Sequence, residues 1–173
     1  MPKYFFIFFT LLTMGCSVSK FTIDKMPVIT NKLKLNGCYF DFHSNSNITK
    51  EVGILFLYNN GFFYSENTYY QTLEKGLKYY QDKNNNEEYK KQYPKEKSSW
   101  GLYRILNDSI ILEKPEPFHG YPIHKLMGKI LNDTIFIITS YEENNVKVKI
   151  ENGSYFYFKQ FDNKPDSINN FVK

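Results

Sequence analysis

The sequence is poor in the residues that usually reveal a partner or a chemistry. Its 173 residues include two cysteines, one tryptophan and a single arginine, Arg104. Nucleic-acid binders normally gather their basic residues on one face and interleave aromatics that reach the bases. Here the lysines are scattered among acids, so the formal net charge of +4 does not indicate a nucleic-acid partner.

Motifs of known enzyme classes are missing as well. The chain has no Gly-x-Ser-x-Gly, no His-Glu-x-x-His and no glycine-rich phosphate loop. The densest cluster of reactive side chains runs from Glu113 to His124, where two histidines and two glutamates fall within twelve residues. His119 and His124 could ligate zinc if this loop folded back, although their spacing fits no standard zinc site. We therefore expect no enzyme and no cofactor, and a metal-dependent hydrolase is the less favoured alternative.

The chain is instead rich in tyrosine (15 residues) and phenylalanine (16 residues), which favour β-strands. One short phrase is written twice, as Ile-Leu-Asn-Asp-Ser-Ile-Ile-Leu at 105–112 and Ile-Leu-Asn-Asp-Thr-Ile-Phe-Ile at 130–137. In each copy an apolar run meets an Asn-Asp pair, which tolerates the left-handed backbone of a tight turn, and then resumes. Each copy therefore predicts a β-hairpin.

The same pattern extends over most of the chain. Asn59-Asn60-Gly61 and Asn152-Gly153 are further hairpin turns between apolar runs. About nine strands result, at 35–42, 52–58, 62–65, 101–106, 109–114, 123–131, 134–141, 146–151 and 154–160. We predict an all-β fold, an antiparallel meander that closes into a barrel of about 8–9 strands, because closure hides the sheet edges. A β-sandwich is the alternative.

One segment, 66–99, breaks the β pattern and is predicted to be an insertion. Thr68 to Gln71 fits a helix capping box, and apolar residues then recur at helical spacing, which predicts one short helix over 69–82. The charged stretch 83–97 is expected to be a mobile loop because it has few apolar groups. Residues 162–173 are polar and are expected to form a flexible tail.

The N-terminus has the features of an export signal, with Lys3, an apolar run over residues 4–12 and small Gly15 directly before Cys16. The five residues that end at Cys16 resemble the signal of bacterial lipoproteins, although Thr13 holds the place where leucine is usual. The resemblance implies that residues before Cys16 are removed and that Cys16 receives a lipid anchor with acyl chains such as palmitate. An ordinary secretory signal and a buried N-terminal helix are the alternatives.

After the predicted signal, 1–15, residues 16–34 contain Pro27 and no sustained periodicity. We expect them to form a tether between the lipid anchor and the folded domain. If Cys16 is acylated, Cys38 has no disulfide partner left in the chain. Cys38 stands at the start of a predicted strand, and we expect a small buried residue there rather than a nucleophile.

A Gly-x-Tyr strand opens the β region, and Trp-Gly-x-Tyr-x-Ile-x-Asn-Asp follows the insertion; the residues concerned are Gly37, Tyr39, Trp100, Gly101, Tyr103, Ile105, Asn107 and Asp108. In these residues the segment 35–161 resembles the lipocalin-like domains found behind bacterial lipoprotein signals. The interior of such a barrel is filled by side chains or holds one small apolar ligand. Candidate ligand contacts among the strand aromatics are Phe40, Phe42, Phe56, Tyr103, Phe136 and Phe156.

Together these features predict a non-enzymatic lipoprotein of the bacterial cell envelope, held through Cys16 to the periplasmic or surface side of a membrane. Its barrel would bind a small hydrophobic ligand or an envelope partner. The alternative is a structural or interaction module that presents the tyrosines and mixed charges of the 66–99 insertion to a partner.

Overall fold

The computed structural model describes residues 20–28, 31–44, 50–70, 72–116, 122–143, 146–162 and 164–169. The predicted signal 1–15, Cys16 and His119 lie outside the described residues.

Eight antiparallel strands, taken in sequence order, close into one barrel. They are β1 (Gly37–Ser44), β2 (Lys50–Leu57), β3 (Phe62–Tyr70), β4 (Trp100–Leu106), β5 (Ser109–Pro115), β6 (Ile123–Asn132), β7 (Ile135–Glu143) and β8 (Val146–Gln160). β8 pairs back with β1, and Phe40 lies opposite Tyr157 at that closure. The predicted all-β, lipocalin-like barrel is confirmed, and the β-sandwich alternative is wrong.

The count is eight strands because the ninth predicted strand is part of β8. Asn152-Gly153 was expected to be a hairpin turn, but it lies inside β8, where the pairing jumps from Ile138–Ser154 to Ser140–Lys149. Gly153 has a φ of +65°, and a Cβ at this position would collide with Ile137. The glycine therefore permits a β-bulge that bends one long strand instead of reversing the chain.

Both copies of the repeated phrase form hairpins, as predicted. In the first copy Asn107 takes the left-handed φ of 55° that the tight turn needs. In the second copy Asn132 Oδ1 accepts a hydrogen bond from Thr134 N at 2.9 Å. The two asparagines thus serve their turns in different ways, one through its backbone and one through its side chain.

The insertion differs from its prediction at the start. β3 continues to Tyr70, so Thr68 is a strand residue and not a helix cap. The helix α1 (Leu73–Asn84) begins later than expected, and the hydroxyl of Thr72 caps it by accepting from Lys75 N at 3.3 Å. The error arose because aromatic residues at 69 and 70 suit a strand as well as a helix face.

The charged stretch after α1 is folded rather than structureless. It contains α2 (Glu87–Lys90) and two 3₁₀ turns, Tyr93–Lys95 and Lys97–Ser99. Tyr93 is buried, and its carbonyl accepts a hydrogen bond from Trp100 Nε1 at 2.6 Å. The composition of this stretch suggested a loop because its apolar groups are few, but one well-placed tyrosine ties it to the barrel.

Two apolar clusters lie on opposite faces of the sheet. The inner cluster occupies the barrel, and its buried members are Leu33, Tyr39, Leu55, Leu57, Phe63, Tyr103, Ile110, Leu112, Ile130, Phe136 and Ile138. The outer cluster lies outside β1–β4 and contains Ile23, Cys38, Val52, Ile54, Phe56, Tyr58, Phe62, Tyr64, Tyr80, Tyr93, Trp100, Leu102 and Phe161. Tyr80 of α1 and Tyr93 belong to the outer cluster, so the insertion covers this wall of the barrel.

The lower end of the barrel, which we define as the end where β1 begins, is closed. Its connections between strands are short turns, and the chain that leads into β1 crosses beneath them. Leu33 is buried in the inner cluster. Lys34 N donates to Asp133 O at 3.0 Å, and Lys32 Nζ lies 2.7 Å from Asp108 Oδ1. The longer connections, which follow β1, β3 and β5 and include the insertion, lie at the opposite, upper end.

The N-terminal segment is held to the outer wall before it reaches the lower end. The carboxylate of Glu113 on β5 is fully buried and accepts hydrogen bonds from Thr22 N at 2.7 Å, Ile23 N at 3.1 Å and the Thr22 hydroxyl. This part of the predicted tether thus lies against the barrel.

The C-terminal segment also contacts the barrel. Lys164 Nζ donates to Leu35 O at 2.8 Å and to Leu57 O. Tyr58 Oη donates to Pro165 O at 2.9 Å. The predicted flexible tail therefore makes specific contacts that its polar composition did not indicate.

Candidate ligand-binding site

The lower half of the barrel interior is filled by aromatic side chains. The rings of Tyr39 and Phe136 lie 5.1 Å apart, and those of Phe136 and Phe156 stack at 4.8 Å. Both buried phenols find acceptors, since Tyr39 Oη donates to Asp133 O at 3.0 Å and Tyr103 Oη donates to Tyr58 O at 2.8 Å. Satisfied hydroxyls and close ring contacts mark this half as a packed core.

The upper half of the interior contains a cavity of about 180 Å³. Its apolar walls are formed by inward side chains of six strands, namely Leu55, Phe63, Leu112, Leu126, Ile138, Ile150 and Phe156. Cavities that hold drug-sized ligands measure roughly 300–1,000 Å³. A ligand confined to this cavity is therefore small, or only the end of a longer molecule enters it.

Polar side chains are placed among these apolar walls. Asp41, Ser65, Asn67, Lys114 and Ser154 line the same cavity. Asp41, Asn67 and Lys114 stand at inward positions near the upper ends of their strands, where the apolar interior gives way to the mouth. Ser65 and Ser154 lie deeper along β3 and β8. A few polar groups on a largely apolar wall are the usual means of orienting a small ligand.

Gly53 is required for the placement of two of these groups. Asp41, Gly53 and Asn67 form one row across β1, β2 and β3. A Cβ on Gly53 would collide with Asp41 Oδ1 and would lie 3.2 Å from Asn67 Oδ1. The two polar side chains therefore converge in the space that the glycine leaves free.

Ser65 supplies a polar atom that the described residues leave unused. Its hydroxyl oxygen is buried and has no hydrogen-bond partner among them. A buried hydroxyl without a partner costs on the order of 1–3 kcal/mol. The cavity is thus lined by a group that a polar ligand atom could satisfy.

A histidine and a glutamate are in contact at the upper end, on β6 and the connection before it. His124 Nδ1 lies 3.0 Å from Glu116 Oε1, and the imidazole ring packs 5.4 Å from the ring of Tyr141. His124 is opposite Lys114 in the register of β5 and β6, so both side chains belong to the mouth. Within the described ranges, no group of three or more histidine, cysteine, aspartate or glutamate side chains could hold a metal ion.

The six predicted ligand contacts are divided between the two faces of the sheet. Phe156 lines the cavity, while Tyr103 and Phe136 belong to the packed inner cluster. Phe56 is buried in the outer cluster and Phe42 packs against it. Phe40 also faces outward, with its ring 5.9 Å from that of Tyr157. Three of the six therefore do not face the barrel interior.

The polar residues of the mouth were not selected from the sequence. Asp41, Asn67 and Lys114 share the parity of inward neighbours on their strands, and that parity is the signal that could have found them. Using it requires knowledge of which face is inside, and both faces of β1–β4 carry apolar residues.

Cys38 behaves as predicted, as a small buried residue. It is a free cysteine, fully buried in the outer cluster. Burial raises the pKa of its thiol to about 12. The thiol therefore stays protonated at neutral pH and is a poor nucleophile.

A second depression lies outside the barrel at the lower end, between the N-terminal segment and β4. It is wide and open to solvent, with a volume of about 710 Å³. It is more open than the upper cavity and lies outside the sheet, so we place the candidate site inside the barrel.

No protein-family model matches the chain, and neither the curated proteins nor the solved structures include a match. In the part of the chain that the structure describes, no helix is long and apolar enough to span a membrane. The barrel and its cavity are therefore the features that bear on function.

Proposed function

We propose that this protein is a cell-envelope lipoprotein whose barrel binds one small amphipathic molecule in its upper interior, while acylated Cys16 holds it to a membrane. The observation that carries the proposal is the cavity of about 180 Å³ above a fully packed lower core. A structural barrel of this size can fill its interior throughout. In this barrel, aromatic side chains fill only the lower interior, and the upper interior contains the cavity with its polar side chains.

The chemistry of the walls defines the class of ligand. Its apolar part packs between Phe63, Leu112 and Phe156, in the deeper region of the cavity. Its polar end meets Lys114, Asp41 and Asn67 at the mouth and can bond to the Ser65 hydroxyl. The proposal thus refines the predicted hydrophobic ligand to a small molecule with one apolar and one polar end.

Native mass spectrometry of the gently purified full chain tests the ligand. We expect an extra mass that is lost on denaturation. Leu126→Phe fills the cavity and should abolish that mass, while Met127→Phe, its neighbour on β6 that pairs with outward Ile111, should retain it. An unchanged ligand mass in the Leu126→Phe variant, or no ligand mass and no thermal stabilisation by any compound of a small-molecule panel, would refute the proposal.

The anchor has a separate test. Growth with an alkyne-labelled fatty acid should label the wild-type chain, and Cys16→Ser should remove the label. A label that persists in Cys16→Ser, or a wild-type chain that is never labelled, would refute anchoring and leave the ligand proposal standing.

A further inference from the structure

One wall of the barrel is left bare by the segments that cover the others. The insertion covers β2–β4, the N-terminal segment is bonded to Glu113 on β5, and Phe161 packs on Phe56 of β2. Apart from the contact of Thr22 with Lys125 at its edge, the described residues place no such cover over the outward face of β6, β7 and β8, which we call the bare wall.

The bare wall is basic and aromatic. Its outward residues follow from the register as three rows, which are Lys125–Glu142–Lys147, Met127–Ser140–Lys149 and Lys129–Ile137–Tyr155, continued by Tyr157 and Lys159 on β8. These rows contain five lysines and one carboxylate, with Glu151 in the adjacent bulge. Tyr155 and Tyr157 are each 43% exposed, and their rings stack 6.3 Å apart.

Three lysines of this wall are available for an external anion, whereas Lys125 lies 3.7 Å from Glu113 Oε1. Lys129, Lys149 and Lys159 are exposed. None of the three forms a salt bridge within 4.0 Å to a described residue. A surface that combines unpaired lysines with exposed tyrosines matches the interface of an anionic lipid bilayer, where tyrosine rings lie at the level of the headgroups.

The position of the N-terminal segment brings a lipid anchor to the edge of this wall. Thr22 is bonded to Glu113, and its hydroxyl lies 3.4 Å from Lys125 Nζ in the first row of the wall. Cys16 is six residues before Thr22 in the sequence. Six residues span at most roughly 20 Å when fully extended, which is about the length of one strand. An anchored barrel therefore has to keep this side close to the bilayer.

We propose that the bare wall rests on the anionic surface of the membrane to which Cys16 is anchored. This inference depends on the anchor of the proposed function. A lysine near an anionic membrane surface is worth about 1 kcal/mol, which is about fivefold in the docking equilibrium. Three lysines of the wall together then shift the equilibrium between docked and undocked barrels by about 100-fold.

The orientation of the acylated full chain on vesicles tests the inference. An environment-sensitive dye is attached to Lys149→Cys on the bare wall or to Lys78→Cys on exposed α1, since native Cys38 is buried. On vesicles with 30% anionic lipid, a quencher in the headgroups should quench the dye on the wall and leave the dye on α1 unaffected. Equal quenching at both positions would overturn the inference. So would an equally large difference between the two positions on vesicles that contain neutral lipid alone.

A charge-matched pair of variants identifies the cause of any contrast. Removing Lys129, Lys149 and Lys159 together by substitution with glutamine, with the dye at Tyr155→Cys, should reduce quenching to the level of the α1 site. The control replaces exposed Lys78, Lys91 and Lys95 with glutamine, which gives the same net charge and should leave quenching unchanged. Equal losses in the two triple variants would mean that net charge, and not this wall, attracts the barrel.

The intact mass of each sample separates the two proposals. If Cys16 is unacylated, the anchor fails. The same dye variants, now carrying Cys16→Ser so that the dye has a single site, are then added to anionic vesicles at low salt, where the wall should still give the contrast. If Cys16 is acylated and the contrast is absent, the anchor stands and the bare wall is wrong.

Discussion

Two walls of the same barrel are built in opposite ways. On β2 the outward residues Val52, Ile54 and Phe56 are at most 1% exposed because the insertion and the terminal segments cover them. On β8 the outward residues Tyr155 and Tyr157 are each 43% exposed. The β1–β4 wall thus lies between the inner and outer apolar clusters, whereas the bare wall separates the inner cluster from solvent.

The difference explains what hydrophobic periodicity can and cannot reveal. A strand with one wet face alternates between apolar and polar residues, whereas a strand buried on both faces reads as a continuous apolar run. Residues 52–58, Val-Gly-Ile-Leu-Phe-Leu-Tyr, are such a run. The run predicts the strand correctly but contains no information about which of its faces is the interior.

The largest test of the comparison removes one aromatic side chain from the outward face of each wall. Trp100 is fully buried under the insertion, between Tyr58 at 5.8 Å and Tyr64 at 5.2 Å. Trp100→Ala should lower the free energy of unfolding by about 3–5 kcal/mol because it leaves a large cavity and an unpaired Tyr93 carbonyl. Urea denaturation measures the loss.

Tyr157→Ala is the matched substitution on the bare wall. Its ring is half exposed, so the expected loss in the free energy of unfolding is below about 1 kcal/mol. Similar losses for Trp100→Ala and Tyr157→Ala would show that the outward face of β1–β4 does not act as a second core.

The same contrast accounts for how much of the molecule could be predicted. The hairpins of the repeated phrase were predictable because Asn107 and Asn132 act within their own turns. The barrel was predictable because short turns join β2 to β3, β4 to β5 and β6 to β7, and a meander of such hairpins hides its edges by closing. The cover over β1–β4 could not be predicted, because it depends on Tyr80 and Tyr93 reaching strands far from them in the sequence.

The candidate site was missed for a related reason. Aromatic residues on the strands predicted ligand contacts, but most of the aromatic residues that the structure describes fill one of the two clusters. Asp41, Asn67 and Lys114 acquire meaning only when the barrel closes and brings β1, β3 and β5 around one cavity. Closure depends on all eight strands, so the sequence of a single strand does not reveal which residues will line the cavity.

A second test concerns the cover that the N-terminal segment provides. Glu113→Ala removes the acceptor of Thr22 N and Ile23 N, which are the contacts that hold the segment to β5. Hydrogen bonds to a charged group contribute about 1.5–3 kcal/mol each, so we expect a loss of roughly 2–3 kcal/mol after the segment relaxes into water. Hydrogen exchange should increase at residues 22 and 23 and remain slow at β5.

Glu142→Ala is the control on the bare wall, since Glu142 is also a strand carboxylate opposite Lys125 in the sheet register. We expect a change of less than about 0.5 kcal/mol, as for other surface substitutions. If hydrogen exchange at residues 22 and 23 is unchanged in Glu113→Ala, the carboxylate is not what holds the segment, and the short reach to Cys16 loses its support.

The smallest test uses pH and the C-terminal cover. Burial lowers the pKa of Lys164 to about 8, from 10.5 in the unfolded chain. Between these values the unfolded chain binds more protons than the folded one, so the contribution of Lys164 to stability rises with pH and is lost as pH falls through 8. Relative to Lys164→Met, the wild type should gain roughly 1–2 kcal/mol in the free energy of unfolding from pH 7 to pH 9.5. The difference between the two proteins cancels the titration of the buried tyrosines. Lys159→Met on the bare wall should show no such pH-dependent difference from the wild type. If the difference between the wild type and Lys164→Met does not change with pH, the Lys164 ammonium remains hydrated in the folded protein, and the C-terminal segment covers Leu35, Leu57 and Tyr58 only loosely.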